Sequence, residues 1–209
     1  MRSLLIRLRA TALLLGLALL GLAAAAPANA ADPAWDMSQG DPAAKVTVVE
    51  YASVSCPICG RWFREVYPAF KAKYIDSGKI HFVTREMLVG GDGEVAIATA
   101  GFLTARCAGD ANYYKVTDAL YLDQPALYAN PFGTLMKIAQ SVGMSPDRFR
   151  ACVTDAAGIK ALNQRVMTYV KDDHVQGTPT FVVNGKPLET GYHPLSDLDA
   201  AIAAAQAAK

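Results

Sequence analysis

Residues 45–63 read KVTVVEYASVSCPICGRWF and carry the strongest structural signal in the chain. The first part, residues 45–51, is rich in β-branched and aromatic residues, which is typical of a buried strand. Cys56 stands where the strand pattern gives way to a helical one, and Pro57 suits the first position of a helix. The stretch therefore predicts a strand that runs into a helix, with Cys56 at or near the N-cap and Cys59 one turn along.

This placement favours redox chemistry at the two cysteines. The free N–H groups of a first helical turn can bond a sulfur anion, and the positive end of the helix dipole favours its charge. The thiolate is the nucleophile of thiol–disulfide exchange, so a lowered pKa activates Cys56. Cys59 can then attack the mixed disulfide between Cys56 and a substrate. We predict that Cys56 and Cys59 are catalytic and form the redox-active disulfide.

A C-x-x-C pair is also half of a zinc site, so a copper or zinc carrier is an alternative. The other two cysteines, Cys107 and Cys152, stand far apart in the sequence, whereas a four-cysteine zinc site usually uses two close pairs. No Met or His cluster lies near the pair to complete a copper site. A purely structural disulfide would close a very small loop and constrain little. We therefore expect no metal site and no cofactor.

The first thirty residues are typical of a secretory signal. Three arginines within residues 1–9 precede an apolar run at 11–26, and Ala28-Asn29-Ala30 fits the small-residue cleavage pattern. We predict cleavage after Ala30 and a periplasmic protein. The alternative is an uncleaved membrane anchor, for which the run is short, because a span needs roughly 20 apolar residues. The remaining chain has no basic block, so no nucleic-acid partner is expected.

The rest of the chain alternates between strand and helix patterns. Pro68 predicts a kink or break in the helix that follows Cys56. No strand pattern occurs between residues 94 and 173. We predict strands at 79–86, 180–184 and 186–190, and helices at 94–107, 111–122, 132–142, 146–153, 159–171 and 194–208. The predicted class is α/β.

Residues 175–185 read VQGTPTFVVNG. Together with the C-x-x-C at a strand-to-helix junction and the all-helical block, this segment resembles the DsbA branch of the thioredoxin-like proteins. The resemblance implies a thioredoxin fold with a helical insertion between the second and third core strands. After the signal peptide at 1–30 and an N-terminal lead-in at 31–44, it implies a thioredoxin-like domain at 45–91 and 174–209 and an inserted helical domain at 92–173.

The resemblance also implies roles for three further site residues. It implies that Pro179 is cis and faces the cysteine pair, and that an extended substrate binds the backbone of Thr178. The alternative is an ordinary trans-proline that opens a strand. Glu50, six positions before Cys56, would relay the proton when Cys59 becomes a thiolate. The alternative is a strand end that faces solvent.

Two more features bear on the resemblance. Some DsbA-like relatives carry an extra disulfide in the helical block, which implies a structural disulfide between Cys107 and Cys152. The alternative is two separate buried thiols. Strongly oxidising members often carry His beside Pro between the cysteines, where this chain has Ile58. We therefore predict a less oxidising disulfide than that of a His-bearing relative.

The resemblance implies a protein disulfide oxidoreductase, a dithiol oxidase. Its substrates would be unfolded or reduced exported proteins, and a DsbB-type membrane oxidase would be its redox partner. A monomer is expected. The alternative is an isomerase or reductase kept reduced by a DsbD-type partner. The segment between Ala31 and the first strand is too short for the dimerisation domain that isomerases of this fold commonly carry.

Overall fold

The computed structural model of the chain describes residues 35–208. Its centre is a five-stranded sheet in the order β1-β3-β2-β4-β5. β2 and β3 are parallel, and the other three neighbouring pairs are antiparallel. The strands are β1 (Met37–Gly40), β2 (Thr47–Ala52), β3 (His81–Glu86), β4 (Thr180–Val183) and β5 (Lys186–Pro187).

Six of the helices lie between β3 and β4, where the sequence predicts the helical insertion. α1 and α2 follow β2, a π-helical turn at Lys71–Ile75 continues α2, and α9 follows the last strand. The helices are α1 (Pro57–Glu65), α2 (Tyr67–Phe70), α3 (Asp92–Cys107), α4 (Asp110–Leu122), α5 (Gln124–Ala129), α6 (Pro131–Ser141), α7 (Pro146–Val153), α8 (Ala156–Asp172) and α9 (Leu195–Ala207).

β2 is the central strand, and successive side chains point to opposite faces of the sheet. Val48 and Ala52 pack into the larger core, which also contains residues of α1 and α4. Tyr51, on the opposite face, packs with Tyr169 of α8 in a second cluster. Because both faces are covered, β2 reads as a continuous run of β-branched and aromatic residues. Glu50 shares the face of Val48 and Ala52, so this carboxyl group points towards the larger core.

Aromatic packing holds α1 between the sheet and the helical block. The ring of Trp62 lies 4.7 Å, centroid to centroid, from that of Phe181 in β4. The ring of Phe63 stacks on Tyr121 of α4 at 4.9 Å. Trp62 and Phe181 are essentially inaccessible to solvent, with 1% and 0% of their surface exposed. These contacts fix the position of α1 and therefore of its N-terminus.

A buried carboxylate attaches the helical block to the sheet. Glu86, at the end of β3, is fully buried and accepts from Arg106 of α3 and Arg165 of α8, both at 2.7 Å. The Tyr113 hydroxyl of α4 donates to the same carboxylate at 3.1 Å. A buried charge is tolerated when it is paired and hydrogen-bonded in this way. Three helices of the insertion therefore converge on one strand end.

The structure contains two elements that the sequence did not predict. β1 lies inside the segment predicted as an N-terminal lead-in at 31–44, and it pairs antiparallel with β3. α5 lies in a segment to which no helix was assigned. Both are short, at 4 and 6 residues, and contain too few residues for a periodic pattern of hydrophobic residues to be recognised. Long-range contacts, which a local pattern does not record, hold them in place.

Two other boundaries also differ from the sequence prediction. The return strand predicted at 186–190 is assigned only over Lys186–Pro187, although the Leu188 N–H still donates to the Phe181 oxygen at 2.8 Å. The helix after Cys56 breaks at Val66, and Pro68 stands in the first turn of α2, where a missing N–H is tolerated. The predicted break is confirmed, two residues earlier than Pro68.

Within residues 35–208, no helix is long enough and apolar enough to cross a membrane. The signal sequence predicted at 1–30, with its cleavage site after Ala30, lies outside the described residues.

Candidate active site

Cys56 is the N-cap of α1. Its backbone is extended, with φ −75° and ψ 119°, and Pro57 occupies the first turn. The backbone N–H of Cys59 donates to the Cys56 sulfur at 3.4 Å. The Cys56 thiol in turn donates to the backbone oxygen of Thr178 at 3.5 Å. The helix start and the loop before β4 therefore meet at one sulfur atom.

Hydrogen bonds donated to the sulfur lower the pKa of Cys56 from an ordinary value of 9.0 to about 6. The hydrogen bond from the Cys59 side chain to the sulfur is the largest cause, and burial opposes it. The side chain of Thr178 and the backbone N–H groups of Cys59 and Ile58 lower the pKa further. The negative sulfur is thus stabilised by donors at the start of the helix. Cys56 is a thiolate for most of the time at pH 7.

Cys59 has the opposite character. Only 1% of its surface is exposed, against 8% for Cys56. Burial raises the pKa of Cys59 well above its ordinary value, and the neighbouring Cys56 sulfur raises it further. Both residues are free thiols in the structure. The pair therefore consists of one ionised, partly accessible sulfur and one protonated sulfur behind it.

The Thr178–Pro179 peptide bond is cis. The loop that carries it is held by two hydrogen bonds, from Gly191 N to the Pro179 oxygen and from the Thr180 hydroxyl to the Gly177 oxygen, each 2.9 Å. The Thr178 hydroxyl oxygen is buried and has no partner among the described residues. The structure therefore places the predicted substrate-binding segment against the Cys56 sulfur.

Glu50 is buried in the centre of the sheet, with 6% of its surface exposed. In the register of β2 it stands between Thr84 of β3 and Phe181 of β4. The alternative of a solvent-facing strand end is therefore wrong. Burial raises the pKa of Glu50 from 4.5 to about 8, and the negative charges of Cys56 and Asp118 add to the rise. Glu50 is a protonated carboxyl group at neutral pH.

A small cavity lies beside the Glu50 carboxyl group. It has a volume of about 20 Å³, and Glu50, Thr84, Thr117 and Asp118 contribute polar groups to its lining. A cavity needs roughly 10–15 Å³ and two or more polar partners to hold a water molecule, so there is room for one. Burial raises the pKa of Asp118 to about 6. Glu50 thus faces a small space lined by polar groups, and when it is ionised its charge raises the pKa of Cys59.

Cys107 and Cys152 are joined by a disulfide in the structure. Cys107 is the last residue of α3 and Cys152 lies in α7, so the bridge ties two helices of the insertion together. Within residues 35–208, no three His, Cys, Asp or Glu side chains are grouped so that they could hold a metal ion.

Comparison with known proteins identifies the family. A family model described as thioredoxin matches residues 34–204. The chain belongs to the thioredoxin family. It is 32% identical over 170 residues to a "putative protein-disulfide oxidoreductase" of Rickettsia bellii. The aligned region covers 80% of this chain and 63% of that protein. The chain spans less than two thirds of three such rickettsial proteins, at 63%, 59% and 56% of their lengths.

Solved structures of thioredoxin-like proteins have the same fold. Wolbachia pipientis alpha-DsbA1 superposes with a TM-score of 0.74 at 22% identity, over 82% of this chain and 91% of that one. A thioredoxin-like oxidoreductase from Silicibacter pomeroyi superposes with a TM-score of 0.64 at 27% identity, over 83% and 94% of the two chains. The predicted fold class, a thioredoxin fold with a helical insertion between core strands, is confirmed.

Two side chains of the inserted α5 contact the site of this thioredoxin-family protein and were not identified from the sequence. Gln124 Nε2 donates to the backbone oxygens of Val54 and Cys56, both at 3.0 Å. The Tyr128 hydroxyl donates to the backbone oxygen of Ser55. No sequence signal points to these residues, because α5 itself has no recognisable pattern and the contacts are long-range.

The raised pKa of Glu50 predicts a pH dependence of stability. The folded chain keeps the Glu50 proton up to about pH 8, whereas the unfolded chain releases it near pH 4.5, so burial of Glu50 lowers stability as pH rises between these values. Glu50→Gln should raise the free energy of unfolding at pH 7 by about 2–3 kcal/mol. It should also flatten the dependence between pH 5 and 8, as measured by urea unfolding.

The matched control is Glu189→Gln, since Glu189 is exposed. This variant should keep the pH slope of the unsubstituted protein. If Glu50→Gln keeps that slope as well, Glu50 is ionised at neutral pH and the assignment of a protonated carboxyl group is wrong.

Proposed function

We propose that this chain is an exported dithiol oxidase, which introduces disulfides into reduced or unfolded proteins through Cys56-Pro57-Ile58-Cys59. One observation carries the proposal: the Cys56 sulfur stands at the N-cap of α1, beside Thr178, with Cys59 buried behind it. This arrangement gives one leaving group of low pKa, slightly more exposed than its partner, and one resolving thiol, which disulfide exchange requires.

The exchange proceeds in two steps. A thiolate of the client attacks the Cys56 sulfur of the Cys56–Cys59 disulfide, and Cys59 leaves as a thiolate. A second client thiolate then attacks the client sulfur of the mixed disulfide, and Cys56 leaves. The client loses two electrons and gains a disulfide, while the pair becomes a dithiol. A DsbB-type membrane oxidase would restore the disulfide by the reverse exchange.

Glu50 would supply the proton in the first step. The Cys59 thiolate is strongly disfavoured because it is buried, so its release requires protonation. Glu50 is protonated at neutral pH, and once it has lost its proton its charge raises the pKa of Cys59, which favours protonated Cys59. We infer that Glu50 protonates Cys59 as it leaves and takes the proton back during reoxidation.

The client would bind in extended form beside Cys56. Main-chain pairing with Thr178 would present a client cysteine to the sulfur, as in other cases of strand addition. Ile58, next to Cys56, has 47% of its surface exposed and offers an apolar contact. Unfolded chains expose apolar side chains, so this contact fits such clients.

The lowered pKa of Cys56 favours oxidation over reduction. At pH 7, ionisation of a thiol of pKa about 6 stabilises the dithiol by about 1.4 kcal/mol over a thiol that stays protonated. This makes the disulfide more oxidising by about 30 mV. Ile58 is neutral and adds no further stabilisation of the thiolate.

The reduction potential separates an oxidase from an isomerase or reductase. Thioredoxin, with a cysteine pKa of about 7, has a potential of about −270 mV, and DsbA, at about 3.5, has about −120 mV. We expect an intermediate potential for this pair, measured by equilibration with glutathione. Ile58→His should raise it by about 30 mV. A potential at or below that of thioredoxin would favour the reductase alternative.

Substitution of the cysteines tests the assigned roles. Cys56→Ala should abolish oxidation of a reduced, unfolded client, because no nucleophilic sulfur remains at the N-cap. Cys59→Ala, incubated with a disulfide-bonded client, should instead accumulate a mixed disulfide, because the Cys56 thiolate displaces one client thiolate and no Cys59 thiol remains to release the other; the adduct is detectable on non-reducing gels. The double variant Cys107→Ala/Cys152→Ala is the control and should stay active wherever it is folded, although a loop of that length contributes up to roughly 4 kcal/mol. Activity in Cys56→Ala would overturn the proposal.

Export is proposed from residues 1–30. Full-length chain expressed in a Gram-negative host should be recovered from the periplasm with Ala31 as its first residue, because small residues at 28 and 30 fit signal cleavage. Ala30→Phe should block cleavage and leave the chain attached to the membrane. Recovery of the unsubstituted protein from the cytoplasm with its N-terminus intact would contradict export.

A further inference from the structure

The inserted α5 reaches the redox site through one buried amide. Gln124 has 4% of its surface exposed, and its Nε2 donates to the backbone oxygens of Val54 and Cys56, both at 3.0 Å. These carbonyls flank the turn that leads from β2 into α1. We propose that Gln124 is a positioning residue, which holds the Cys56 carbonyl and thereby the Cys56 sulfur at the start of α1. The inference rests on the proposed function, since it concerns the same redox pair.

The Cys56 carbonyl is the acceptor through which α1 begins. It also accepts from Gly60 N at 3.0 Å, the first hydrogen bond of the helix. The sulfur of the same residue accepts from Cys59 N at 3.4 Å. Rotation of the peptide plane at Cys56 would therefore move the sulfur relative to the N–H groups that stabilise its charge. Gln124 restrains this plane by donating to the same carbonyl oxygen.

The contact between α5 and α1 leaves no space for a side chain at position 60. A Cβ atom on Gly60 would lie 2.7 Å from Gln124 Cδ and clash with the amide oxygen. Gly60 is buried in α1. Glycine weakens the interior of a helix relative to alanine, so helix stability alone does not favour it at this position. The absence of a side chain at 60 is therefore explained by the approach of Gln124.

A second donor from the same helix acts on the adjacent peptide. The Tyr128 hydroxyl donates to the backbone oxygen of Ser55. Three successive carbonyls of the turn, those of Val54, Ser55 and Cys56, thus accept from α5 side chains. Packing alone would not require Gln124 to donate to the same turn as Tyr128.

The test is Gln124→Met, which keeps the length of the side chain and removes its donor. We expect the pKa of Cys56 to rise by about one unit, so that the thiolate fraction at pH 6 falls about fivefold. The pKa is measured from the ultraviolet absorbance of the thiolate and from the pH dependence of alkylation. Gln140→Met, on the exposed face of α6, is the matched control and should leave the pKa unchanged.

The outcomes separate this inference from the proposed function. A low Cys56 pKa in the unsubstituted protein that persists in folded Gln124→Met overturns the positioning role alone. An ordinary Cys56 pKa in the unsubstituted protein instead overturns the proposed function.

A second set of variants covers the case in which Gln124→Met does not fold. Gly60→Ala should displace Gln124 and raise the Cys56 pKa, whereas the same change in a Gln124→Ala background meets no amide and should have little further effect. Coupling of this kind is expected for two changes that break one contact. Additive effects of the two changes on the pKa would overturn the proposal.

Discussion

The hydrogen bonds donated to the Cys56 sulfur at the start of α1, including the one from Cys59 N–H, are the interactions on which the rest of the site depends. They exist because a short turn leads from β2 into α1, so that Cys56 takes the N-cap position and its sulfur meets the free donors of the first turn. The aromatic packing of Trp62 and Phe63 holds α1 in place, and the loop at Thr178 approaches the sulfur from β4. The position of the N-terminus of α1 in the fold therefore determines the environment of the Cys56 sulfur.

The site contains groups that oppose the stability of the fold. A thioredoxin-fold core that only had to pack would not place a carboxyl group in the centre of its sheet, because burial of Glu50 costs free energy at any pH at which the unfolded chain ionises it. The same burial keeps Glu50 protonated at neutral pH, and burial of Cys59 likewise keeps its thiol protonated in the dithiol form. The cost in stability and the proton transfer proposed for Glu50 have one physical cause, the burial of its carboxyl group.

The parts of the structure with a local signal could be predicted from the sequence. Pro57 after Cys56 indicates a helix start, and the β-branched run before it indicates a buried strand, so both elements and the redox pair follow from short patterns. The edge strand β1 and the helix α5 could not be predicted, because neither carries a period and each is stabilised by distant residues. Glu50 could be located on β2 from the sequence, but its burial depends on pairing with β3 and β4. Gln124 has no local signal at all.

The position of the helical insertion follows from the geometry of the thioredoxin sheet. β3 and β2 are parallel, so the chain leaves β3 at the same edge of the sheet at which β2 leads into α1 and Cys56. A segment inserted after β3 therefore begins beside the redox pair. Glu86 anchors this segment to the end of β3, and α5 can then contact the turn before α1. An insertion at this point in the chain can influence the sulfur without contributing a reactive group, because it supplies the donors that fix the backbone around it.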